Sequence, residues 1–288
     1  MNQLDSLHAA LAAADAGSFS AAARALRIPL ATLSRKVAEL EAHLGSALFV
    51  RTSRKLQVTE AGQAYLIAAR RVVEELADAD RSARGEYQTP RGELAIAAPI
   101  VFGRLHVLPI VTELLAAYPD ITARLVLSDR YANLADDHLD VAVRIGELAD
   151  SSLVATRVGS VRRVACASPA YLAAHGRPRR PSDLARHACI STTLDDWTFA
   201  GMSIAIKPRL VVTTAEAAID AARAGVGIAR VLSYQLRDPA LVRILISHEP
   251  KPIPVQLVRT TTHTTRKVRV FVDLAIARLR SALQSSGL

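Results

Sequence analysis

The sequence predicts an α+β chain of several domains: a small helical unit ending in a hairpin, a long helix, and two α/β units. Three observations predict it. Within the first 45 residues, apolar side chains recur at helical spacing in three short runs. From Tyr65 to Ala83, apolar or small residues keep a spacing of 4, 3, 4, 3, 4. Beyond the turn-rich "YQTPRG", Tyr87 to Gly92, strand-like runs alternate with helical ones, the order that places helices on the faces of a sheet.

The first helix is marked by Leu4, Leu7 and Leu11, and Gly17 is placed to stop it. Ser18 or Ser20 caps a short second helix, "SFSAAARAL", whose alanines permit a neighbouring helix to approach closely. Pro29 sits where a third helix begins, a position that tolerates its missing NH. Leu33, Val37, Leu40 and Leu44 then lie within about 60° of one another around the axis. Gly45 ends that run. Three helices joined so tightly make a helix-turn-helix arrangement. In "ALFVRTSRKLQVTEAG" the apolar Phe49, Val50, Leu56 and Val58 flank a polar tip at Thr52 to Lys55, which predicts a hairpin, or wing. Thr59 caps the long helix that follows, to about Gly85, and Glu60 suits its positive end. Along that helix Tyr65, Ala69, Val72, Leu76, Ala79 and Ala83 read as a dimer seam; packing on its own domain is the competing reading.

After residue 88 the order is "ELAIAA", the helical "LHVLPIVTELLAAY", "ITARLVLS", a short helix near "YANLADDH", and "DVAVRI", which implies a parallel sheet. A second such unit starts near Arg163 with "RVACAS" and takes in "RLVVTT", the helix "AEAAIDAARA", "VGIARV" and "VQLVRT". A last helix, from Arg266 to about Leu283, presents Val270, Leu274, Ala277 and Arg278 on the side expected to return to the first unit. The boundaries so read are 1–58, 59–88, 89–162 with 265–288, and 163–264.

With 50% hydrophobic and 22% charged residues, the 288-residue chain has an ordinary globular composition. The net charge of +9 is unevenly spread. Seven basic against five acidic residues lie in 1–60, four against five in 61–88, and 25 against 17 in 89–288. Basicity is therefore weak evidence for nucleic acid, and the local pattern must carry that case. The opening residues lack a basic leader and carry Asp5 and Asp15, and the sequence offers no uncharged apolar run of about 18 residues, so a cytoplasmic location without a membrane partner is expected. Cys166 and Cys189 lack the spacing of a zinc site or a disulfide framework and read as buried thiols in strands.

Taken together, "SFSAAARAL", "TLSRKVAELEAHLG" and "ALFVRTSRKLQVTEAG" resemble a LysR-type transcriptional regulator. Leu33-Ser34-Arg35, Leu40-Glu41, Leu44-Gly45, Leu48-Phe49, Arg51, Arg54 and Thr59 to Gly62 stand in the family's order and spacing. "DVAVRIGEL", "ASPAYL" and "AGVGIA" extend the resemblance over essentially the whole chain. It implies a winged helix-turn-helix DNA-binding domain, a dimerising linker helix, and a two-lobed α/β effector domain resembling a type II periplasmic binding protein. It also implies dimers that often pair into tetramers, and control of a promoter by a small molecule between the lobes. Double-stranded promoter DNA, the effector and the chain itself are then the expected partners, with RNA polymerase a further candidate. No cofactor or metal is expected.

With its leucines turned inward, the third helix directs Ala31 and Arg35 outward, with Thr32 beside them, at the end that enters a major groove. Arg35 suits a bidentate contact to guanine, Thr32 a base edge or thymine methyl, and Ala31 close approach. Many relatives carry more polar residues than Leu30 and Ala31, so thymine contacts and DNA shape are expected to matter more here. Ser34 and Lys36 fit phosphate contacts, and Arg51, Arg54 and Lys55 suit the backbone or a narrow minor groove. The second expected site gathers strand-to-helix junctions, whose first turns expose unpaired NH groups. Its candidates are Pro99, Ile100, Val101, Phe102, Arg144, Gly146, Trp197 and Thr214. Core packing competes as the reading of Pro99 to Phe102 and of Trp197. Many relatives place a hydroxyl where Ile100 to Phe102 stand, and this departure argues against a carboxylate effector and for an apolar-bodied or aromatic one. Backbone NH groups with Arg144 would remain for an anion.

An enzyme is the first rival. The sequence offers no GxSxG and no GxxxxGK, and "HEP" at 248–250 lacks the second histidine of a zinc protease motif. "GVG" at 225–227 reads as a strand-entry turn, and the adjacent pairs Asp136-Asp137 and Asp195-Asp196 point in different directions. A transporter's solute receptor would explain the lobes but not the first 88 residues. An architectural DNA-binding protein would not need the lobes.

Overall fold

In the computed structural model, which describes residues 3–51, 56–83, 89–130, 134, 137–148, 153–192, 196–260 and 265–285, three helices open the chain: α1 (Gln3–Ala16), α2 (Phe19–Ala25) and α3 (Leu30–Leu44). Ser18 is the residue that caps α2, its Oγ accepting from the Ala21 NH at 3.5 Å. Gly45, at φ +64°, closes α3 in the left-handed region, where a side chain would be strained. Ser46 NH then reaches back to the Glu41 carbonyl. Leu33, Val37 and Leu40 are sealed against Leu7, Ala10, Leu11 and Ala22, and the small size of those alanines lets the helices meet.

The wing is an antiparallel pair, β1 (Phe49–Arg51) and β2 (Leu56–Val58), with Phe49 opposite Val58 and Arg51 opposite Leu56. Phe49 meets Phe19 of α2 edge-on at 5.6 Å. Glu41 reaches out of α3 to take two NH groups at the wing's start, Leu48 at 2.8 Å and Phe49 at 3.1 Å. Thr59 caps α4 (Glu60–Ala83): its Oγ1 accepts from Gly62 NH and donates to the Ala47 carbonyl, both at 2.8 Å. Gly62 has to be glycine there, because a Cβ would stand 2.2 Å from the Leu48 carbonyl oxygen.

The expected seam of α4 divides. Tyr65 and Ala69, with Leu66 and Val73, pack on the core formed by α1 and α3, and Arg70 pairs with Asp15 of α1. Val72 (54% exposed) and Leu76 (43%) face outward, with Ile67 also exposed. The first turns of α4 lie across α1, so own-domain packing takes the residues that periodicity assigned to a partner. The side chains of Ala79 and Ala83 lie outside the described residues.

The chain divides into two compact units, Met1–Gly92 and Glu93–Leu288. In the second, one five-stranded sheet contains β3 (Gly92–Ala98), β4 (Ile121–Leu127), β5 (Val141–Ile145), β6 (Val154–Val161) and β14 (Ile253–Arg259), in the order β4-β3-β5-β14-β6. The other contains β7 (Arg163–Ala167), β8 (Cys189–Ser191), β11 (Pro208–Val211), β12 (Ile228–Leu232) and β13 (Val242–Ile244), in the order β11-β8-β12-β7-β13. A small hairpin, β9 (Trp197–Phe199) with β10 (Met202–Ile204), stands beside the second sheet.

Two expectations need correction. The sheets are mixed: β3 runs parallel to β5, but β14 is antiparallel to β5 and β6, and β12 to β7. And "VQLVRT" does not belong to lobe II. Leu257 lies opposite Val143 and Thr156, inside the sheet of lobe I, so residues 253–259 leave the 163–264 segment. The chain returns from lobe II and enters between two strands already laid down, which requires no helical crossover.

Helices α5 (Ile100–Phe102) and α6 (Leu108–Ala117), joined by a π turn at Gly103–Val107, and α9 (Arg266–Ser285) cover one face of the first sheet. The run Ile100–Ala117 is long and apolar enough to cross a bilayer by length and composition, yet Val101, Phe102, Val107, Ile110, Val111 and Leu114 along it are buried in the lobe's core. Helix α9 does return to lobe I, by Phe271, Ala275 and Leu279 rather than the predicted Ala277, which is exposed. Arg278 joins it to Glu113 of α6. In lobe II, α7 (Pro169–His175) and α8 (Ala215–Arg223) cover opposite faces of the sheet.

Replacing Gly62 by alanine drives a methyl group into the Leu48 carbonyl and should cost about 1–3 kcal/mol. A lower urea midpoint for the full-length variant checks this; an unchanged midpoint contradicts the packing described.

Candidate nucleic-acid interface and effector site

Helix α3 sorts its side chains by direction. Leu33, Val37 and Leu40 are inside, whereas Ala31 is exposed, Thr32 and Ser34 are half-buried, and the Arg35 side chain is 65% exposed. Arg35 Nη1 lies 2.5 Å from Glu39 Oε1, one turn further along. An exposed pair of this kind contributes only about 0.3–0.5 kcal/mol, less than the roughly 1–3 kcal/mol that a bidentate guanine contact discriminates. Glu39 therefore holds the arginine extended without preventing its transfer to a base. Lys36 is differently engaged: its Nζ is 2.7 Å from Asp5 Oδ2, tying α3 to α1. Leu30, at the helix start, is exposed and apolar, a surface suited to a thymine methyl. Arg51 lies on β1, but its side chain, Arg54 and Lys55 fall outside the described residues.

In the second unit the carboxyl ends of β3 and β5 in lobe I, and of β11 in lobe II, carry the expected effector residues, except Trp197, which lies on β9. Pro99 and Ile100 are half-buried, while Val101 and Phe102 are core residues, Phe102 with no exposure at all. Phe102 meets Tyr234 of lobe II edge-on at 5.2 Å, and His106 at 4.8 Å. The NH at the helix start is already taken: Ile100 NH donates to Asp129 Oδ1 at 3.0 Å. An anion there would meet a carboxylate, so backbone capture of an anion at Ile100 is not what this arrangement favours. Gly146 donates to the Pro254 carbonyl and accepts from Gln256 Nε2 at 3.1 Å. Arg144 is half-buried, opposite Gln256 on β14.

Thr214 caps α8, its Oγ1 accepting from Ala217 NH at 3.3 Å. Arg104 of the π turn and Glu216 of α8, 3.9 Å apart, bring that capped turn against the helix begun at Ile100. Trp197 is a core residue of lobe II, with its Nε1 donating to Ser191 Oγ at 3.4 Å. The lobes are joined where Ser233 NH donates to the Arg162 carbonyl at 2.8 Å and Arg162 NH to Ser233 Oγ at 3.1 Å. Asp129, His106, Tyr234 and Arg104 were not singled out by sequence, because the contacts they make are decided by tertiary packing.

Cys166 and Cys189 are buried among different core clusters of lobe II. Burial pushes their thiols up to about 12 and about 11, which leaves them protonated and unreactive.

Residues 4–63 match the model of the bacterial regulatory helix-turn-helix protein, lysR family, and residues 87–280 that of the LysR substrate binding domain. The chain belongs to the LysR family. It is a DNA-binding transcriptional regulator with an effector-binding domain, not an enzyme. The transcriptional regulator CrgA of Neisseria meningitidis serogroup C is 33% identical over 93% of this chain and 94% of its own. A solved CrgA structure covers 96% of this chain and 98% of that one at 30% identity and a TM-score of 0.61. Full-length AphB, a virulence activator of Vibrio cholerae, matches 95% of the chain at 28% identity and a TM-score of 0.60. An HTH-type regulator of Xanthomonas campestris is 40% identical, but over 61% of this chain and 51% of its own length.

His106 is held below the ordinary histidine range by burial and by the charge of Arg237. Its Nε2 is buried without a hydrogen-bond partner among the described residues. The unfolded chain binds its proton more readily, so its contribution to stability is complete above about pH 6.5 and is lost as the pH falls below that. His106→Phe keeps the ring and removes the proton, and should flatten the fall in thermal midpoint between about pH 7.5 and 5.5. A fall as steep as in the wild type would assign the pH dependence elsewhere.

Proposed function

We propose that this regulator binds promoter DNA through the N-terminal half of α3, with Arg35 reading guanine, Thr32 reading a neighbouring base edge and Ala31 permitting close approach. The observation that carries the reading is the outward Arg35 on a helix whose opposite face, Leu33, Val37 and Leu40, is sealed in the core. Exposed Leu30 supports thymine contact beside it. Ser34 remains a candidate phosphate contact, as do Arg51, Arg54 and Lys55 of the wing. Lys36 is the weaker candidate, since it must leave Asp5 to reach DNA.

Two copies join along α4 through Val72 and Leu76, a shorter seam than periodicity alone predicts; dimers pairing into tetramers, a cytoplasmic location and contact with RNA polymerase at a promoter complete the reading. A small apolar-bodied molecule binds between the lobes, with Pro99, Ile100 and the capped turn at Thr214 as its nearest candidates, and shifts the population of lobe closures. Val101, Phe102 and Trp197 shape the site from within the core, and Arg144 and Gly146 stand at its edge.

Arg35→Ala should cost about 1–3 kcal/mol on a specific site and much less on random duplex. Equal losses on both in a mobility-shift titration would remove the base-reading role. Val72→Glu with Leu76→Glu places charges in the seam, and sedimentation should show dimers giving way to monomers; unchanged assembly would return α4's outer face to solvent.

A further inference from the structure

We propose that lobe II holds an organic carboxylate between Arg230 and Arg163, and that this is the anchor for the acidic group of the effector. The proposal rests on the reading of the two lobes as an effector site and names the chemistry of its ligand.

The register of the sheet places the two arginines. Along β12, Ala229 and Val231 face the α8 side with Val164 and Cys166, so Ile228 and Arg230 face the other side, with Ala165, Ala167, Trp197 and Phe199. Arg230 lies opposite Ala165 and Leu232 opposite Arg163, which makes Arg163 the diagonal neighbour of Arg230 on one face. The Arg230 guanidinium sits 5.8 Å from the ring centroids of both Trp197 and Phe199. Those rings favour a cation and offer no hydrogen-bond acceptor to its fork.

Several other arginines of this unit have carboxylate partners. Arg223 has Asp220 and Asp238, Arg243 has Glu249, Arg278 has Glu113 and Arg124 has Glu93. Arg230, half-buried, has neither a carboxylate nor an acceptor among the described residues, and its neighbour adds like charge. Burial, and then Arg163, push it down to about 10, whereas Arg223, Arg243 and Arg278 are held above the ordinary value by their carboxylates. A cation desolvated without a partner is costly to keep, and a planar oxyanion between two guanidinium forks removes that cost.

The location fits a ligand that reaches both lobes. Two residues beyond Arg230, Leu232 packs on the core of lobe I, and Arg162, next to Arg163, is hydrogen-bonded to Ser233 where the lobes join. In lobe I Asp129 occupies the Ile100 NH, which disfavours an acidic group at that helix start. Pro99 and Ile100 suit the apolar body, and the arginines suit the acid. The expectation that apolar residues at 100–102 argue against a carboxylate therefore reverses: its anchor lies in the other lobe.

The test is thermal unfolding of the full-length protein at constant ionic strength with acetate, benzoate or phenylacetate, each against its neutral amide, and with inorganic phosphate and sulfate. At about 20 mM, at least one carboxylate and no amide should raise the midpoint, by roughly 2–4 °C. Arg230→Gln and the exposed-site variant Arg163→Gln should both lose the rise. Arg230→Met should unfold at a higher temperature than wild type in anion-free buffer. Equal shifts with acid and amide, no carboxylate shift, a larger shift with phosphate or sulfate, or a rise that survives in either glutamine variant overturns the proposal. Gel shifts on DNA from upstream of the gene separate the two readings: retained DNA binding without a carboxylate response overturns the anchor alone, and wild-type failure to bind DNA overturns the regulator's promoter role.

Discussion

The orientation of α3 is the constraint on which the first unit depends. Leu33, Val37 and Leu40 are each within 1% of complete burial, and burying a side chain of that size contributes roughly 1.5–3 kcal/mol. The Arg35–Glu39 contact on the outer face is worth a small fraction of that sum. The core, not the charges, therefore decides which way Arg35 points. The wing and α4 are then built on the same element: Glu41 collects the Leu48 and Phe49 NH groups, and Gly62 lets α4 start against the Leu48 carbonyl. A change in the rotation of α3 would be felt in every one of these contacts.

The second unit is organised around the place where the chain crosses between its lobes. Arg162 and Ser233 are bonded there in both directions, and Tyr234, although it follows a strand of lobe II, is buried in the core of lobe I against Phe102. The contact near the crossing is apolar and deep. Further out, Arg104 and Glu216 meet at 3.9 Å with both side chains substantially exposed, a weak pair in water. A firm end and a loose end are what the proposed selection of one lobe closure by an effector would use.

Charge in this molecule is informative by its pairing rather than its total. The basic excess lies mostly beyond residue 88, yet there most described arginines with a stated ion pair simply join one element to another, as Arg278 joins α9 to α6. Arg230, over two aromatic rings and without a carboxylate partner among the described residues, stands out only against that background. Net charge would have directed attention to the wrong unit for DNA and to no particular residue for the effector.

Local order was legible in the residues themselves. Helical spacing, Ser18, Pro29, Gly45 and Thr59 located the first three helices, the wing and the start of α4, because caps, turns and amphipathic faces are decided within a few residues of chain. The outward Arg35 followed for the same reason. What depends on residues far apart was not legible: that Tyr65 and Ala69 face α1 rather than a second copy, that "VQLVRT" joins lobe I, that Asp129 holds the Ile100 NH, and that Arg230 lies beside Arg163. A strand carries in its own sequence which face is apolar but not which neighbour or direction it will take, and a side chain's partner across a fold leaves no period to read. Those choices belong to tertiary packing, where burial summed over many distant residues outweighs any local preference.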